Sequence, residues 1–199
     1  MNGKMMKTAG TFETMFRVMG SVLCSMVFVC VIFTVLVLLL GEKMFAPDFV
    51  TLDIGFIKFY LTDEYRSFTD SVKLYAVVGL LSMAVLFAVG SYICVLLRRI
   101  LLPMKEGRPF EETTARNLRK VAWAILGGGL FMQILRVAEE FLLIRAYPME
   151  EIFASDAITS MEHMITVDFN FVIVAAAFIL LSYIFSYGQA LQRESDETL

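Results

Sequence analysis

Four apolar runs, residues 20–40, 75–97, 121–143 and 169–187, dominate this chain of 199 residues. Each is close to the ~20 residues that a helix needs to cross ~30 Å of hydrocarbon. The composition agrees: 58% of residues are hydrophobic and 19% charged, where a soluble domain has about a quarter of its residues charged. The mean hydropathy of +0.73 therefore comes from runs rather than from scattered core positions. Four spans leave no room for a separate soluble domain. The expectation is an all-α, polytopic membrane protein with one membrane domain over residues 1–199, two outer loops (41–74 and 144–168) and one cytoplasmic loop (98–120).

Lys and Arg near helix ends are retained on the cytoplasmic side of a membrane. Lys4, Lys7 and Arg17, the seven cations from Arg98 to Lys120, and Arg193 make eleven on one side. Lys43, Lys58, Arg66, Lys73 and Arg145 make five on the other. Both termini are thus expected inside, on the cytoplasmic side of the membrane. The formal net charge of −3 conceals an acidic exterior and a basic interior.

The first run is too long for the apolar core of a signal peptide. It also lacks an A-x-A-like cleavage site before Gly41-Glu42-Lys43, so it reads as a retained helix. Cys24, Cys30 and Cys94 all fall inside spans without a C-x-x-C pair, which argues against a structural disulfide. One histidine, His163, supplies no zinc ligand set. No cofactor or metal is expected.

The first outer loop alternates Val50, Leu52, Ile54 and Phe56 with Thr51, Asp53 and Gly55, a period-two pattern that predicts a short β-hairpin. An extended loop lying on the bundle is the alternative. The second outer loop opens with Pro148 and repeats Met149, Ile152, Phe153, Ala157, Met161, Met164 and Ile165 at steps of three or four. This is an amphipathic helix. Its polar face carries Glu150, Glu151, Asp156 and Glu162 rather than the cations of a membrane-surface helix, so it reads as a cap over the outer mouth of the bundle or as a simple connecting helix.

In the cytoplasmic loop, Pro103 is expected to end or bend the second helix, and Gly107 with Pro109 to make a turn. Glu111 and Glu112 suit the positive end of a new helix. Arg98, Arg99, Lys105, Arg108, Phe110, Arg116, Arg119 and Lys120 form a candidate surface for a cytoplasmic partner or for anionic headgroups. Plain topology-setting charge is the competing explanation.

The order Lys105-Glu106-Gly107-Arg108-Pro109-Phe110, then Asn117-Leu118-Arg119-Lys120 and an apolar run, resembles the bacterial membrane family catalogued as domain of unknown function 2975. The four-helix layout with a long first outer loop is similar as well. Members of that family are often encoded beside a small helix-turn-helix regulator. The resemblance therefore implies a membrane partner of a transcription factor. It carries over no catalytic residues.

The third span holds Gln133, Arg136, Glu139 and Glu140. Ionisable residues at the centre of a span cost roughly 2.5–3.5 kcal/mol each on insertion scales, and they mark function or a paired interior. Gln133, Arg136 and Glu140 share one helical face, and Glu139, three residues from Arg136, is placed to share the same cation. One reading is an interhelical clamp near the outer interface. The other is an outward-facing pocket that binds a small cationic or zwitterionic molecule. Gly127, Gly128 and Gly129, farther in on the same helix, permit close helix contact or a local break.

Glu139-Glu140 followed by Arg145 superficially resembles the CAAX-processing membrane proteases. The spacing is one residue too long and the metal-binding histidines are missing, so no enzyme is expected. With the partner that the family resemblance implies, the expectation is a non-enzymatic sensor or regulatory protein that controls a helix-turn-helix regulator and makes no direct nucleic-acid contact. A small transporter using the same polar cluster is the alternative, and a homo-oligomer is compatible with both.

Overall fold

The computed structural model describes residues 3–44, 51–54, 57–60, 70–107, 110–147 and 167–197. Four helices account for most of them: α1 (Gly3–Met44), α2 (Asp70–Lys105), α3 (Glu112–Ala146) and α4 (Asn170–Glu197). All four are long and apolar enough to cross a membrane. They also outrun the apolar stretches. The 42 residues of α1 rise about 63 Å at ~1.5 Å each, roughly twice the hydrocarbon thickness. Hydropathy marks only the part of a helix that lipid can cover, and an α-helix closes its own backbone hydrogen bonds on either side of that boundary.

Between α1 and α2, β1 (Thr51–Ile54) and β2 (Ile57–Tyr60) pair antiparallel, with Thr51 opposite Tyr60 and Ile54 opposite Ile57. The amphipathic segment from Pro148 to Ile165, with His163, lies outside the described residues, as does Arg108.

Helix ends follow local chemistry, with one correction to the sequence reading. Pro103 does not end α2; it sits inside the final turn, and the helix runs on to Lys105. Near a helix end few hydrogen bonds remain for a proline to break. The backbone N–H of Glu106 still reaches the carbonyls of Leu102 and Pro103 at 3.2 and 3.1 Å. Gly107 then stops the helix at φ +84°, a left-handed conformation that favours glycine. Glu112 occupies the first turn of α3, where a carboxylate meets the positive end of the helix dipole. At α4 the Oδ1 of Asp168 accepts the backbone N–H of Asn170 at 2.8 Å, satisfying one of the orphan donors of the first turn.

Most large apolar side chains point outward, among them Phe28, Leu39, Trp123, Ile134 and Ile173. Such exposure is incompatible with water as the solvent and expected where hydrocarbon surrounds the helices.

The chain divides into two compact units. The first comprises residues 1–27, 85–132 and 168–199. Its core joins Leu96 and Ile100 of α2 to Leu118 and Val121 of α3, with Phe178 and Phe185 of α4 packed against them. Contacts here depend on small residues. Gly20 brings α1 so close to α2 that an added Cβ would stand 3.2 Å from that of Cys94, and Ser91 Oγ donates to the Gly20 carbonyl at 3.1 Å. Ser182 Oγ of α4 donates to the Ala115 carbonyl of α3 at 3.0 Å.

The second unit comprises residues 28–84 and 133–167. Its buried positions include Cys30, Thr34 and Val37 of α1, Val72, Ser82 and Ala84 of α2, and Tyr147 just beyond α3. The Thr34 hydroxyl is satisfied within its own helix by the Cys30 carbonyl at 2.8 Å. Along α1 the inward positions recur at 9, 13, 16, 20, 23, 27, 30, 34, 37 and 41. Alternating steps of four and three are the period of a narrow coiled-coil seam, which leaves most of the helix surface to lipid.

Candidate functional site

The four polar residues of the third span all lie in the second unit, on one stretch of α3. Arg136 Nε stands 3.6 Å from Glu140 Oε1, an i,i+4 pair with side chains 53% and 30% exposed. Glu139 does not share that cation among the described residues, contrary to the sequence expectation. One residue of helix turns a side chain by about 100°, which takes Glu139 away from the Arg136–Glu140 side. Its Oε1 is instead buried without a hydrogen-bond partner among the described residues, and its charge is felt at Tyr75 of α2. Tyr75 in turn lies within electrostatic reach of Tyr147, and burial, followed by Tyr75, pushes the Tyr147 hydroxyl above its ordinary pKa. The cluster is therefore a buried carboxylate oxygen near one phenol, Tyr75, with an ion pair beside it. Such a set can accept a cationic group.

Depth along α3 follows from the helical rise. At ~1.5 Å per residue Gln133 lies about 15 Å along the helix from Trp123 and Glu139 about 24 Å.

In the first unit the cations of the segment from Arg98 to Lys120 are largely engaged within the chain. Arg98 Nε donates to Glu13 Oε1 at 2.7 Å, and Lys105 Nζ lies 3.9 Å from Glu13 Oε2. Arg116 pairs with Glu112 at 2.7 Å, and the Arg119 guanidinium lies 5.9 Å from the centre of the Tyr183 ring. Phe110 lies on α4, its ring centroid 5.7 Å from that of Phe185 and its edge over Gly188. Arg99 and Lys120 are exposed. The glycine triplet proves to be a packing device at two of its three positions: a Cβ on Gly128 would stand 2.8 Å from Val89 Cγ1, and one on Gly129 would overlap the Phe171 ring.

Sequence reasoning missed Glu13, Tyr75 and Tyr147. Glu13 carries a signal in retrospect, because it stands in step with Ala9, Phe16 and Gly20 on the inward seam of α1. The tyrosines carry none.

The family described as Protein of unknown function (DUF2975) matches residues 60–199. The chain belongs to that family. No curated protein and no solved structure matches it. The DUF2975 match takes in α2, α3 and α4 whole, and with them both the third-helix cluster and the basic segment. The N-terminal helix α1, which supplies Glu13, precedes it.

Proposed function

We propose that this DUF2975 protein is a non-enzymatic regulatory protein of the bacterial cytoplasmic membrane, with both termini in the cytoplasm. A small cationic or zwitterionic molecule acts at Glu139, Glu140, Arg136 and Gln133. The response passes to the segment from Arg98 to Lys120, which binds or releases a cytoplasmic helix-turn-helix regulator. The observation that carries this reading is the continuity of α3, which runs unbroken from Glu112 to Ala146 and bears both the polar cluster and the end of the basic segment, Arg116, Arg119 and Lys120. A ligand that prefers one position of α3 shifts the population of that position, and a partner bound at its other end reads the shift.

The test is native mass spectrometry of the full chain extracted gently from its host membrane, comparing wild type with Arg99→Glu/Arg108→Glu. A small soluble protein that accompanies wild type and leaves the variant supports the regulator. Co-purification of lipid alone overturns it. The buried, unbonded Glu139 oxygen also favours a second reading, a small transporter with this cluster as its substrate site. Glu140→Gln separates the two: altered flux in proteoliposomes marks transport, altered regulator occupancy marks signalling.

A further inference from the structure

The start of α3 displays a graded set of chemistries along one uncovered face. Arg116, Arg119, Lys120, Trp123 and Gly127 stand at i, i+3, i+4, i+7 and i+11, so they share one side of the helix. All five are exposed. The opposite side, including Thr114, Leu118, Val121 and Ala122, is buried. The face is therefore turned away from the protein.

Three features make it more than a row of solvated charges. Arg119 is positioned by the Tyr183 ring, which is itself 61% exposed, so α3 and α4 together present one cation and one phenol at the same level. Trp123, also 61% exposed, follows one turn deeper, where an indole sits at the headgroup boundary with its ring in the apolar layer. One further turn in, a Cβ built on Gly127 would meet nothing within 4 Å, in contrast to Gly128 and Gly129 beside it. The backbone is thus bare at this point, and exposed Leu130 and Ile134 continue the strip.

We propose that this strip is a binding site for an anionic phospholipid. Its phosphate sits between Arg119 and Lys120, its glycerol region against Trp123, and one acyl chain in the notch at Gly127. The preference for an anionic over a zwitterionic lipid follows from charge. Glu112 offsets Arg116 at 2.7 Å, whereas Arg119 faces an aromatic ring and Lys120 pairs with no described carboxylate. A cation held near an anionic surface strengthens association by about fivefold. The inference rests on α3 and α4 of the first unit and does not depend on the regulator reading; it assigns Arg119 and Lys120 to the bilayer and leaves the rest of the basic segment, Arg116 of α3 included, to a protein partner.

Trp123 is the single tryptophan of the chain, so intrinsic fluorescence reports on this site alone. The full-length protein is placed in phosphatidylcholine vesicles containing a minor fraction of either brominated phosphatidylglycerol or brominated phosphatidylcholine with the same acyl chains. Half-maximal quenching is expected at a fraction of the anionic lipid lower by roughly fivefold for each of the two cations. Arg119→Gln/Lys120→Gln should bring the two curves together, while Arg193→Gln leaves them apart. Where the double variant fails to reach wild-type helicity, Lys120→Gln alone removes an exposed charge without disturbing the Tyr183 contact and should reduce the preference. Equal quenching by the two lipids in wild type overturns the proposal. So does a preference that survives loss of both cations, or shielding of Trp123 from every lipid by a second copy of the chain.

Discussion

The side-chain N–H of Arg98 donates to Oε1 of Glu13 at 2.7 Å, joining α2 to α1 across 85 residues of chain. The two partners are unequally placed. Glu13 is 7% exposed and Arg98 41%, so the acid depends on the cation more than the cation depends on the acid. Lys105, at 3.9 Å, adds charge without the same hydrogen-bond geometry.

Arg98→Gln is therefore expected to lower the midpoint of thermal unfolding more than Glu13→Gln does. The first leaves a carboxylate enclosed with only the weaker, more distant charges of Lys105 and Arg17 to offset it, while the second leaves a guanidinium that water can reach. The double variant should lose less than the two single losses together, because each single change already breaks the shared contact. Unfolding of the detergent-solubilised protein followed by circular dichroism measures all three, and strict additivity would show that the pair is not coupled.

The adjacent glycines of α3 should respond in opposite directions to the same substitution. Gly127→Ala adds a methyl into open space and is expected to stabilise the helix by up to about 1 kcal/mol. Gly128→Ala and Gly129→Ala force Val89 or the Phe171 ring to move, at a cost of about 1–3 kcal/mol. The three single variants, titrated with a denaturing detergent, check this; a uniform response would mean that helix propensity outweighs packing.

Glu139 and Glu140 should separate as well. Glu140→Gln removes an i,i+4 pair at 3.6 Å between partly exposed groups, which is worth no more than about 0.5 kcal/mol. Glu139→Met replaces a buried oxygen that lacks a hydrogen-bond partner and is expected to raise stability by about 1 kcal/mol. Thermal unfolding of the two variants reads the difference. A marked loss for Glu139→Met would mean that this carboxylate is bonded in the protein as it works in the membrane.

How far the sequence reaches differs from one element to another. Hydropathy located a helix at each of the four apolar runs, because lipid imposes both a length and a composition on any segment it surrounds. Gly107 could be read as part of a turn and Glu112 as a helix start, since both act on the backbone next to them. That Pro103 does not end α2 could not be read, because the cost of a proline depends on how many hydrogen bonds remain beyond it. The i,i+4 relation of Arg136 to Glu140 was implicit in the spacing. The separate course of Glu139, toward Tyr75, required the neighbouring helix.

The same division holds for the charges. By itself the sequence determined that this is a chain of four long apolar helices, that its cations concentrate between the second and third, and that a third-helix stretch combines Gln133, Arg136, Glu139 and Glu140. These are properties of single segments, set by solvent transfer and helical period. Only the tertiary structure decided which cations are spent inside the molecule, joining Arg98 and Lys105 to Glu13, and which stays exposed beside an aromatic ring, Arg119 at Tyr183. It also decided which glycine of three stays uncovered. Both outcomes depend on which faces of different helices meet, and a one-dimensional pattern of hydropathy and charge does not contain that information.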